Sequence, residues 1–149
     1  MSIEARLQEL NITLPEPIQP AANYVRFQKT GNLLFISGTT PPAEHPKGKV
    51  GADITVEQAY EAARAGGLQL LATAKDALGS LDRVTNTIKV FGMVNADPLF
   101  QNQPQVINGC SDVLVEVLGD KGRHTRSAVG MGSLPNGVTV EIEATFEFE

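Results

Sequence analysis

Near the C-terminus a single arginine stands in a run of small residues, "TRSAVGMG", and glutamates at every second position follow in "VTVEIEATFEFE". A guanidinium grips a carboxylate through two parallel hydrogen bonds when there is room in front of it. Ala128, Gly130 and Gly132 add almost no bulk beside Arg126. A carboxyl group close to such a guest can carry a proton to or from water. These residue types therefore fit hydrolysis of a small acidic molecule. They also fit a plain cross-strand ion pair on a wet sheet face, worth under ~1 kcal/mol. Glycines in a strand equally permit bulges or close subunit packing.

Choosing between these readings depends on which residues share a side. Alternate residues of a strand point to opposite faces. Val138, Val140, Ile142, Ala144, Phe146 and Phe148 form one side of the last strand, with Thr139, Glu141, Glu143, Thr145 and Glu147 on the other. In the strand before it, Ser127, Val129 and Met131 form the matching apolar side, and Arg126, Ala128 and Gly130 the opposite one. The short turn "SLPNG" makes the two strands neighbours in this reading, with their apolar sides entering one core. That arrangement predicts that Arg126 shares a face with Glu141 and Glu143, away from the helices.

The elements that must position these residues can be traced along the chain. Residues 1–22 form an N-terminal arm: a short helix capped by Ser2, then a segment with Pro15, Pro17 and Pro20 that cannot be helical. "YVRFQK" and "NLLFISG" pair as a hairpin around "TGN". A proline- and glycine-rich loop leads to Thr55, where "TVEQ" matches a capping box and opens a long helix that Gly79 ends. Gly66-Gly67 in its middle costs about 1 kcal/mol per glycine, which makes sense where the helix passes close to another element. "VTNTIKVFGMVN" is the third strand, and a second helix runs from about Gln103 to Gly119. The order ββαβαββ predicts an α+β fold: a mainly antiparallel or mixed sheet with two helices on one face. The other face is left uncovered, to be solvated or to serve in assembly.

Several other side chains could serve a site. Tyr24 follows the arm as an edge aromatic. Ser37 precedes Gly38 at a strand end, where a serine often satisfies local backbone groups. Asn108, a poor helix former, sits in a helix beside Gly109 and fits a ligand contact or a subunit contact equally. Cys110 lies on the apolar stripe of the same helix as a small core residue. His124 follows Arg123, and the two could add charge at a cleft rim, although a solvated pair is the simpler reading. His45 and His124 form no spaced ligand set, so no metal site is expected.

Composition narrows the classes. The chain has 149 residues, 42% hydrophobic and 19% charged, with a formal net charge of −5. Its basic residues are scattered, without the stripe that nucleic-acid binding uses. No apolar run approaches the ~20 residues of a membrane span, and the start lacks a signal peptide's apolar region. With one cysteine and no sign of export, the expected location is the cytoplasm.

Taken together, "TRSAVGMGSLPNGVTVEIEA", "YVRF…GNLLFISG" and "VINGCSDVLVEVLG" resemble the RidA/YjgF family over most of the chain from about Asn23, and the longer arm resembles a subgroup of it. The resemblance implies one domain over residues 1–149 with a chorismate-mutase-like fold, and a homotrimer with clefts between subunits. It implies an enamine/imine deaminase that converts 2-aminoacrylate and other 2-imino acids to 2-keto acids and ammonia without a cofactor. Arg126 then matches the carboxylate-binding arginine, and Glu141 the glutamate that positions or activates water. Tyr24, Ser37, Asn108 and Ala128 match cleft positions. Ala128 departs from the family's common cysteine, so a thiol role is excluded. A small-carboxylate sensor using the same clefts is the alternative, and an endoribonuclease is a third reading.

Overall fold

The computed structural model describes residues 1–149. Helix α1 (Ile3–Glu9) is followed by an extended arm, the hairpin β1 (Phe27–Thr30) and β2 (Leu33–Thr39), helix α2 (Val56–Leu78), β3 (Val84–Asn95), helix α3 (Gln103–Leu118), β4 (Thr125–Met131) and β5 (Val140–Phe148). The expected α+β order is present, with α1 as a third helix.

The helix boundaries follow from their caps. Ser2 Oγ accepts from the Ala5 amide at 3.1 Å. Thr55 and Gln58 form the complete capping box. The Gln58 amide donates to Thr55 Oγ1 at 3.1 Å, and the Thr55 amide to Gln58 Oε1 at 2.9 Å. Gly79 closes α2 with φ 83°, a left-handed conformation that favours glycine. The expected close approach falls on Gly67, where an added Cβ would lie 2.6 Å from Val113 Cγ1 and 3.2 Å from the Cys110 Cα. Helices α2 and α3 thus touch nearly backbone to backbone and cover the sheet as one layer. Leu34, Ile36, Val90, Ile142 and Phe146 rise from the sheet to meet Leu70, Leu71, Ile107 and Leu114, all buried in one cluster.

The strand order is β1-β2-β5-β3-β4. Every neighbouring pair is antiparallel except β3 and β4, which run parallel because α3 carries the chain back along the sheet between them. This overturns one expectation. The last two strands are not neighbours, since β3 lies between them. Arg126 is in register with Val90, and Val90 with Ala144, a row on the helix side. Glu141 aligns with Met93, and Glu143 with Phe91, on the opposite side. Arg126 and the glutamates therefore occupy opposite faces. Residues 132–139 do not make a hairpin; they cross to the far side of β3, and alternation within each strand could not register that crossing. On β4 the small residues face the helices. Ala128 packs against the core, and a Cβ at Gly130 would meet Gln103 Nε2 at 3.0 Å, so α3 needs them small.

The uncovered face holds Phe35 and Val129, 44% and 36% exposed, beside the half-buried Phe91 and Met93. No helix is long and apolar enough to cross a membrane.

Candidate functional site

Tyr24, Ser37 and Glu141 meet in one cleft of about 530 Å³. Its floor is the end of β2, its roof is the arm from Ile18 to Ala22, and Gln69 and Thr73 of α2 close the inner side. The arm is laid down by the Ile18 amide, which donates to Gln69 Oε1 at 3.2 Å. Strands β2 and β5 slip in register between Ile36 and Thr39, and Gly38 sits in that irregularity. A Cβ on Gly38 would lie 2.7 Å from Glu141 Oε2, so the carboxylate rests in space that only glycine leaves open.

Burial, and then the charge of Glu143, lift the Glu141 carboxyl above the ordinary range, with no hydrogen bond acting against them. Glu147, on the same strand and parity, is its opposite. Asn86 Nδ2 donates to Glu147 at 2.7 Å. Thr85 Oγ1 donates to it at 3.1 Å, and Asn32 Nδ2 at 3.3 Å. These bonds, that of Asn86 foremost, pull Glu147 below the ordinary range, because they favour the charged form. Of the two, Glu141 is the carboxylate free to accept from a guest. Ser37 Oγ donates to the Val25 carbonyl at 2.6 Å, so its hydroxyl proton serves the backbone while its lone pairs remain. Tyr24 stands 47% exposed at the rim.

Arg126 lies at the other edge of the sheet. Its Nη1 donates to Ser111 Oγ at 3.0 Å and its Nη2 to the Pro104 carbonyl at 3.3 Å. Pro104, Asn108 and Ser111 are spaced four and three apart, so they share the face of α3 that meets Arg126. By that spacing Asn108 lies on the same side of α3 as Ser111, and Ala128 follows Arg126 two residues along β4. The bonding continues beyond Ser111. His124 Nδ1 lies 2.6 Å from the Gly122 carbonyl and so donates to it. That leaves His124 Nε2 to accept from the Ser111 hydroxyl at 2.8 Å, since a neutral imidazole has one donor and one acceptor. Burial first, and the Arg126 charge after it, hold His124 below its ordinary pKa against the Gly122 bond. His124 is thus a neutral support beneath the arginine. Arg123 turns away and pairs with Asp120 at 3.4 Å, so the two residues do not form a charged rim.

None of the five ion pairs involves Arg126. The ion-pair reading of Arg126 with its own glutamates therefore fails. Its charge is held by a hydroxyl and a carbonyl, and no carboxylate neutralises it.

The two groups cannot reach one small molecule within a single chain. Strands β4 and β5 flank β3, so they are two strand spacings apart, roughly 10 Å. The registers of Arg126 and Glu141 on β3 differ by three residues, which adds roughly 10 Å along the strands. Their side chains also leave from opposite faces. The geometry gives two half-sites: Arg126, Asn108 and Ala128 at the β4 edge, and Tyr24, Ser37 and Glu141 toward the β1 edge.

Sequence reasoning missed Arg26, Gln69 and Thr73 on the cleft wall, and the Ser111–His124 support. Arg26 sits within "YVRFQK", where alternation marks only an outward residue. The others become partners through tertiary packing alone. Burial pushes the Cys110 thiol up to about 12, in keeping with a core residue. No three His, Cys, Asp or Glu side chains gather where they could hold a metal ion.

The comparisons with known proteins agree on one family. A family model described as "YjgF/chorismate_mutase-like, putative endoribonuclease" matches residues 4–140. Protein TCP17 of Trypanosoma cruzi is 42% identical over 149 residues, covering 97% of this chain and 93% of that protein. The structure of Agrobacterium tumefaciens Atu1372, a protein of unknown function, superposes with a TM-score of 0.91 at 44% identity, over 99% of this chain and 92% of that one. Escherichia coli TdcF, solved with bound serine, shares the fold at 23% identity and a TM-score of 0.65, over 92% of this chain and 96% of that one. With the mixed five-stranded sheet and its helices, these matches place the chain in the YjgF/chorismate-mutase-like family.

Proposed function

We propose that the chain is an enamine/imine deaminase, and that its active clefts form where copies of it meet, as a homotrimer. The observation that carries this reading is the division of the site: an uncompensated guanidinium at one sheet edge and an unbonded carboxylate over Gly38 toward the other. A cyclic assembly repeats one heterologous contact around its axis, and such a contact can set the Arg126 edge of one copy against the Glu141 cleft of the next. The apolar residues on the uncovered sheet face support assembly. Serine bound to TdcF supports a small ligand that has a carboxylate next to an amino-bearing carbon.

In the resulting cleft Arg126 holds the substrate carboxylate, with Asn108 beside it. An enamine such as 2-aminoacrylate takes a proton from solvent at its methylene carbon to become the protonated imine. Water then attacks the imine carbon: a C–O bond forms, the C=N pair moves to nitrogen, and Glu141 takes the water proton. The nitrogen gains that proton, the C–N bond breaks, and loss of the hydroxyl proton leaves the keto acid and ammonia. Imines are already electrophilic, so positioning supplies most of the acceleration. Burial that raises the Glu141 carboxyl above its ordinary range makes it a stronger base toward the water proton.

The test generates 2-imino acids in place and follows keto-acid formation. Acceleration by the wild type that Arg126→Ala abolishes supports the enzyme. Keto-acid binding without acceleration supports the sensor, a reading favoured by Ala128 at the position of the family's common cysteine. The endoribonuclease reading finds less support in a chain of net charge −5 with scattered basic residues.

A further inference from the structure

Arg26 and Glu141 are the two charged residues that line the cleft, and the chemistry above uses only Glu141. Arg26 Nη2 donates to Asp76 Oδ2 at 2.6 Å, and its guanidinium lies 5.7 Å from the centre of the Phe27 ring. Its Nη1 is buried and has no partner in the chain. Buried polar groups are almost always bonded, and a guanidinium cannot shed its charge to escape the cost. The pair with Asp76 does not account for that nitrogen, because it uses Nη2, and Asp76 is not among the residues that line the cleft.

Size points the same way. The cleft measures about 530 Å³ in the single chain, which leaves room both for the edge of a neighbouring copy and for a guest larger than a three-carbon acid. Polar groups run from one charge to the other. The Glu141 carboxylate rests over Gly38, Ser37 is next, and the Ser37 amide donates to the Arg26 carbonyl at 2.8 Å across the hairpin.

We infer that Arg26 receives the far end of the substrate, so that the preferred ligand is a 2-imino dicarboxylate. This rests on the deaminase reading of the same cleft. Arg126 of a neighbouring copy takes the carboxylate next to the reacting carbon, and the Arg26 guanidinium on the cleft wall takes the second one. The residue sets specificity and takes no part in bond making.

The experiment compares imines made in place by oxidation of aspartate and glutamate with those made from alanine and methionine. Arg26→Met should lower kcat/KM for the dicarboxylic imines about 30-fold, the loss expected for a charge-assisted hydrogen bond, and change the aliphatic ones by less than about twofold. Arg26→Lys should retain part of the preference, and Asp76→Asn all of it, which separates ligand binding from the ion pair and from misfolding. Equal losses for both classes, or a wild type that prefers aliphatic imines, would overturn the inference. Should the wild type accelerate no imine, the deaminase reading falls and calorimetry with stable 2-keto acids decides this one alone. Dicarboxylic keto acids binding more tightly than aliphatic ones, in an Arg26-dependent way, would uphold Arg26 as the anchor; no such difference would sink it.

Discussion

The two ends of the sheet treat charge in opposite ways. At the β4 edge Arg126 is held in place with donors to spare: Pro104 and Ser111 each accept one bond from the guanidinium, and a neutral His124 braces Ser111 from behind. Toward the β1 edge the groups are left open: Glu141 has no donor, Arg26 has a bare nitrogen, and a glycine replaces side-chain packing. A prebuilt clamp faces one way and an unfinished cleft the other. Polar satisfaction within a chain can thus show which half of a divided site is a fixed anchor and which half awaits a guest.

This contrast is tested most severely by damaging the two ends in different copies. Arg126→Ala and Glu141→Gln should each lower deaminase activity by a factor on the order of 10²–10⁴. Mixed in equal amounts and allowed to exchange subunits, they should recover about a quarter of wild-type activity, since one cleft in four pairs two intact halves. No recovery after verified exchange would mean that both groups act within one chain.

Gly38→Ala tests the open end alone. The new Cβ would fall 2.7 Å from Glu141 Oε2, the far end of a flexible side chain. The fold should lose less than about 1 kcal/mol by denaturant melting, while kcat falls roughly 10–100-fold because the carboxylate is displaced. Ser111→Ala tests the braced end. It removes one acceptor from Arg126, and KM should rise about 3–10-fold with kcat nearly unchanged, as for loss of a contact made equally with ground and transition states. A fall in kcat instead would place Ser111 in the chemistry.

A more modest change concerns pH. The folded chain holds the Glu141 proton more tightly than the unfolded chain does, so this group costs stability as pH rises through the ordinary carboxyl range to its lifted folded value. Glu141→Gln should melt above wild type at pH 7 and level with it near pH 3. A difference that persists unchanged at low pH would assign the gain to something other than titration.

Much of this was legible from residue types. The capping box at Thr55 and the stop at Gly79 are local signals, so α2 appears where those residues demand it. Gly67 announced a helix–helix contact because only proximity justifies a glycine there. The face of Arg126 was not legible. Alternation orders residues within β4 and within β5, but the relation between them depends on β3 inserting between strands close in sequence. Apolar Val129 and Met131 misled for the same reason: they face the uncovered side, while Ala128 and Gly130 serve the core by being small. Ser37 and Glu141 meet because β2 and β5 are direct neighbours, and Tyr24 reaches the same cleft from the segment just before β1. Arg26 was silent because an outward arginine on a hairpin looks like any soluble surface residue until a cleft is drawn around it.

The bond between the Ile18 amide and Gln69 Oε1 makes the roof of the cleft observable in solution. That amide is shielded from deuterium only while the arm lies against α2. Its exchange rate therefore clocks how often the chamber stands ajar, and a ligand that fills the chamber should slow that clock with no change at the far edge of the sheet.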